Sequence, residues 1–124
     1  MRFVQNFAVG PLRYRDSRRD RRLVLPTLRI EIDSRGLSSC NWSLTGILLD
    51  GEPPPGAALD AVVSGTVAGT TRQGPGQVPF ESTLVRIDPQ GPSFALRFAM
   101  PDPRLAEFLH DCLMRHLARE GGPR

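Results

Sequence analysis

The chain contains no lysine: all sixteen of its basic residues are arginine. It also has only two cysteines, Cys40 and Cys112, whose separation fits no metal-ligand spacing. A chain this poor in cysteine defaults to a reducing compartment, so both are expected as free thiols and a disulfide scaffold is excluded. Aromatic residues make up 6% of the sequence, too few for a broad base-stacking surface; Phe80, Phe94, Phe98 and Phe108 fit core positions instead. No apolar run approaches the roughly 20 residues that span a bilayer. The stretch Phe3 to Val9 is too short and interrupted for a secretory core, so a cytoplasmic protein without a membrane span is expected.

Catalytic constellations are equally scarce. The sequence shows no paired carboxylates and no metal cluster, and Ser43 has no neighbouring histidine or acid to activate it. His110 and His116 stand six apart and cannot share a metal from one helical face; His116 and Cys112 could, but no further ligand lies near them. Neither an enzyme nor a cofactor is expected. At 124 residues the chain makes one domain with one modest core.

What the sequence does have is a concentrated charge. Residues 13 to 22 carry six arginines and two aspartates, a local charge of +4 in a chain whose formal net charge is +3. The rest of the molecule is therefore close to neutral, and the basicity is a patch. Immediately after it, Leu28, Ile30 and Ile32 alternate with Arg29, Glu31 and Asp33, the period of a half-buried strand, within a segment read as extended from Leu23 to Asp33. Ile47-Leu48-Leu49 follows a polar turn, Asn41 to Gly46, and is ended by Asp50-Gly51 and a proline-rich loop. Strand signatures recur over Ala61 to Thr70, Phe80 to Asp88 and Ser93 to Ala99, with turn residues between them. Phe94, Leu96 and Phe98 share one face of the last. Such closely spaced short strands predict an antiparallel barrel.

The period then changes. Asp102 can cap a helix that has Pro103 at its first position, and Leu105, Phe108, Leu109, Cys112, Leu113 and His116 form one stripe, predicting a helix over 102–118. Its stripe must be buried, against a surface that the sequence does not identify.

Two motifs carry the chemistry. Arg18-Arg19-Asp20-Arg21-Arg22 offers planar donor forks that hold phosphate oxygens or the O6/N7 edge of guanine bidentately. Asn41-Trp42-Ser43-Leu44-Thr45-Gly46 adds an amide, a hydroxyl and a residue without Cβ. The pattern Arg18-x-x-x-Arg22, then a strand, then Asn41-x-Ser43-x-x-Gly46 leading into Ile47-Leu48-Leu49, closely resembles the PilZ domain family, which reads the bacterial second messenger cyclic di-GMP. The resemblance spans roughly residues 14 to 118, and the all-arginine, glycine- and proline-rich composition is that of a GC-rich bacterial genome.

The resemblance implies a mainly β fold: a six-stranded antiparallel β-barrel with a C-terminal α-helix. The expected division is a segment 1–13 without assigned structure, a flexible arginine arm 14–22, a barrel 23–100, the helix 102–118 and a tail 119–124. It further implies that Arg18, Arg19 and Arg22 take phosphates and guanine faces, while Asn41, Ser43 and Gly46 take a guanine and nearby backbone. The family most often has Asp where this chain has Asn41; Trp42 lies at a variable position, free to stack or to pack. The implied protein is a non-enzymatic receptor acting in trans on a protein effector, in motility, exopolysaccharide synthesis, pilus assembly or a signalling enzyme. Two alternatives belong to other classes: a small barrel that tracks nucleic-acid phosphates with its basic arm, and a degenerate interaction module that binds no ligand.

Overall fold

A computed structural model describes residues 22–120, so the expectations for residues 1–21 and 121–124, including Arg18 and Arg19, lie outside the described residues. The strands are β1 (Arg29–Ile32), β2 (Arg35–Trp42), β3 (Gly46–Asp50), β4 (Val62–Thr71), β5 (Gly74–Asp88) and β6 (Ser93–Phe98), followed by α1 (Pro103–Glu120). Every strand pairing is antiparallel. The order β1-β2-β3-β6-β5-β4 closes on itself through the β1–β4 pairing, giving a six-stranded barrel.

The alternation expected around Ile30 is present: Leu28, Ile30 and Ile32 point into the barrel and Arg29, Glu31 and Asp33 out. Pairing, however, begins only at Arg29. Leu23 forms an isolated bridge with Trp42, and between them Pro26, which has no N–H, interrupts the ladder. The extended reading of Leu23 to Asp33 is thus two short contacts joined by a connector. Asp33 and Ser34, both with positive φ (52° and 67°), then make a two-residue hairpin loop of the kind whose twist matches its strands.

β2 is the strand that the sequence conceals. Its Gly36, Ser38 and Ser39 resemble loop chemistry, yet Ser39 is buried because its Oγ accepts the Leu28 N–H at 2.8 Å, while its own N–H donates to the Leu28 carbonyl. β5 likewise starts earlier than Phe80. Gly74-Pro75-Gly76 pairs with Thr71, Thr70 and Gly69, and the prolines are tolerated because up to Glu81 β5 has a strand neighbour on its β4 side only.

One core fills the barrel. Trp42, Ile47, Leu49, Val67, Leu84, Phe94 and Leu96 are fully or almost fully buried, and Phe80 and Phe98 meet edge to face at 5.8 Å. The helix begins as the sequence predicts, with Asp102 Oδ1 accepting the Leu105 N–H at 3.1 Å. Its buried stripe is Leu105, Phe108, Leu109 and Cys112, with Leu113 and His116 half-buried. The stripe's partner is the β4–β5 hairpin. A Cβ on Gly69 would lie 3.0 Å from Cys112 Sγ, so the glycine lets the helix approach; Arg72 in the hairpin loop pairs with Asp111 and ties the other side. Among the described residues no helix is long and apolar enough to cross a membrane.

Candidate functional site

The candidate site lies at one end of the barrel, where β2 turns into β3. A β-bulge at Cys40 creates it. Leu37 and Ser39 point inward, and uninterrupted alternation would carry Asn41 inward too; the register shift between Ser39 and Asn41 reverses the parity. Trp42 therefore enters the core, fully buried, and Asn41 is left partly exposed on the outer side. The indole Nε1 donates to the Pro26 carbonyl at 2.8 Å, so Trp42 packs rather than stacks and also fastens the connector that follows Arg22.

Asn41 belongs to β2, and the turn proper is Ser43-Leu44-Thr45. The Ser43 N–H donates to the Gly46 carbonyl at 2.8 Å, closing a two-residue loop, and Ser43 Oγ accepts the Thr45 N–H at 3.2 Å. Leu44 projects into solvent at the tip. Gly46 has no positive φ to justify it. Its reason is steric: a Cβ there would stand 2.7 Å from the Leu96 carbonyl oxygen, closer than any real Cβ sits, so only glycine lets β6 close up on the turn. The group that approaches Gly46 is a neighbouring strand.

Arg22, the last residue of the first sequence motif, meets the second motif at this turn. Arg22 donates from Nε and from Nη2 to Asn41 Oδ1, at 3.0 and 2.8 Å, and from Nη1 to Ser43 Oγ at 3.2 Å. One guanidinium thus bridges an amide and a hydroxyl nineteen and twenty-one residues further along the chain. Ser43 is 1% exposed and Asn41 only partly so, which strengthens these bonds relative to open water. Asn41 is neutral, so the clasp is a set of hydrogen bonds to a charged donor and not an ion pair.

Other chemistry-bearing residues stay apart from the site. Burial pushes the Cys112 thiol up to about 11, with Asp111 adding to the shift, and raises that of Cys40, with Asp50 adding there. Both cysteines are free and in their protonated, unreactive form near neutrality. Among the described residues no group of three His, Cys, Asp or Glu side chains is placed to hold a metal. Sequence reasoning missed the bulge at Cys40 and the role of Pro26 as the acceptor for Trp42; neither has a local signature in the sequence.

Fold and site together define a small closed β-barrel with an arginine clasped onto a polar turn at one end. No protein-family model matches the chain, and no curated protein is similar to it in sequence. A solved structure is similar in fold: the Bacillus subtilis inhibitor of motility (MotI/DgrA) superposes with a TM-score of 0.65 at 18% identity, over 82% of this chain and 52% of that one. The match thus spans about half the length of that chain, and at this identity the likeness is one of fold. The architecture is the one that the PilZ resemblance implies.

Proposed function

We propose that the chain is a receptor for cyclic di-GMP that changes its surface on binding and signals to a protein effector. The observation that carries this reading is the contact of Arg22 with both Asn41 and Ser43, which joins the last residue of the first motif to two residues of the second. In this reading Arg22, with Arg18 and Arg19 of the preceding chain, releases its barrel acceptors to grip the phosphates and guanine edges. Asn41 and Ser43 then turn to a guanine, and Gly46 keeps the turn tight against β6.

The magnitudes are compatible. Charge-assisted hydrogen bonds contribute on the order of 1.5–3 kcal/mol each, so a few of them reach the roughly 8 kcal/mol of a micromolar complex. Ordering a lead-in segment costs about 1–2 kcal/mol per residue. Part of that cost is already met, because Leu23 is bridged to Trp42 and Pro26 is bonded to its indole before any ligand arrives.

A basic barrel that tracks nucleic acid is the weaker reading. Base stacking needs exposed rings, whereas among the described residues the aromatic side chains, Trp42, Phe80, Phe94, Phe98 and Phe108, are all interior. The effector class is suggested by the structural neighbour, which is an inhibitor of motility. Calorimetric titration with cyclic di-GMP, GTP and short single-stranded DNA at two salt concentrations tests the proposal. Saturable heat with the cyclic dinucleotide alone supports the receptor; an equal, salt-sensitive response to all three overturns it.

A further inference from the structure

Arg97 stands beside the clasp on the opposite side of the turn from Arg22, and neither sequence motif includes it. Its neighbours Leu96 and Phe98 are buried at 1% and 2%, so alternation along β6 puts Arg97 on the outer surface, where it is exposed. The register pairs it directly with Gly46. One residue on, the Phe98 N–H donates to the Thr45 carbonyl at 2.8 Å, so β6 is bonded to the turn itself as well as to β3. The missing side chain of Gly46 makes this possible: a Cβ there would meet the Leu96 carbonyl at 2.7 Å and lie 3.6 Å from Arg97 Cα.

Asn41 and Arg97 lie on the same outer surface, two strand spacings apart across β3 and two residues apart along it, a backbone separation of roughly 12 Å. A long arginine side chain covers much of that distance. The Arg97 guanidinium has no hydrogen bond or ion pair to any described residue, in contrast to Arg22. The barrel therefore presents two arginines on either side of one polar turn: Arg22 on the lead-in segment, and Arg97 on a strand.

We infer that Arg97 is a ligand-binding residue of the same site, which takes the phosphodiester or guanine edge of the cyclic dinucleotide that lies farther from Arg22. The inference rests on the receptor reading above and adds a fixed cation to it. A doubly charged cyclic phosphodiester suits two guanidiniums spaced across a turn better than one. Because Arg97 is held by the barrel, it is in place before the ligand arrives, and its contact carries no cost of ordering backbone.

Calorimetry with cyclic di-GMP on the wild-type protein, Arg97→Ala, Arg97→Gln and Arg97→Lys, each at two or more salt concentrations, tests this. Expected is a loss of affinity of about tenfold or more for Arg97→Ala and Arg97→Gln, with partial retention in Arg97→Lys. The dependence of affinity on salt should become shallower once the cation is gone, which a merely structural role would not produce. Thermal melting should leave all three variants folded, since the side chain is exposed. If the wild-type protein binds and both neutral variants match it in affinity and salt dependence, Arg97 has no part in the site and the receptor reading survives. If the wild-type protein gives no saturable heat, the receptor reading itself falls and the inference goes with it.

Discussion

The two halves of the candidate site are held in different ways. Asn41, Ser43 and Gly46 belong to the barrel: their backbone is fixed by pairing with β3 and β6 and by Trp42 in the core between them. Arg22 belongs to a connector whose ties among the described residues include the Leu23 bridge, the Pro26 carbonyl under the indole and the Arg22 bonds to Asn41 and Ser43. Changing a packed residue of the first half, such as Gly46 or Trp42, disturbs the barrel; losing the Arg22 side chain disturbs mainly what the connector does. A receptor needs that division, with acceptors that stay and a donor that can leave them.

The largest effect tests the connector alone. Arg22→Ala should abolish detectable binding of cyclic di-GMP and cost about 1–3 kcal/mol of stability, because the buried Ser43 hydroxyl and the Asn41 carbonyl lose a charged donor while the core itself stays packed. Retained wild-type affinity by calorimetry would show that the clasp is not the ligand site.

Gly46→Val probes the barrel half. The added side chain must displace the Leu96 carbonyl, so denaturant unfolding should show a loss of about 1–3 kcal/mol, the range for overpacking a close contact. An unchanged midpoint would mean that β6 moves away from the turn at no cost. Trp42→Phe cuts the tie between the halves. It keeps an aromatic ring in the core but leaves the Pro26 carbonyl without its donor, and stability should fall by about 1–2 kcal/mol in the same assay. Cyclic di-GMP affinity should change as well, because the connector loses an anchor.

The smallest effect comes from a control outside both halves. Asp102→Ala removes the helix cap at the Leu105 N–H, so it should cost about 1 kcal/mol of stability and leave ligand affinity untouched. A change in affinity would extend the site to the helix.

The sequence showed features carried by local pattern and hid those set by pairing. Asp102-Pro103 and the stripe from Leu105 to Cys112 locate the helix because capping and periodicity act within a few residues. The alternation Leu28, Ile30, Ile32 shows which face is core for the same reason. β2 was hidden because its glycine and serines find their bonds in a strand eleven residues away, through Ser39 and Leu28. Of the site, Arg22, Asn41, Ser43 and Gly46 were all nameable from the motif spacing, and the structure brings them to one place. What spacing could not supply was the bulge that reverses the parity before Asn41, or the strand that delivers Arg97; both depend on which strands lie side by side.

Trp42 is the lone tryptophan of the chain, between two site residues, with its indole N–H bonded to the segment that carries Arg22. The molecule thereby contains its own optical probe. Displacement of the Pro26 carbonyl changes the polarity at the ring nitrogen, so the intrinsic fluorescence of the unlabelled protein reports on the position of the connector.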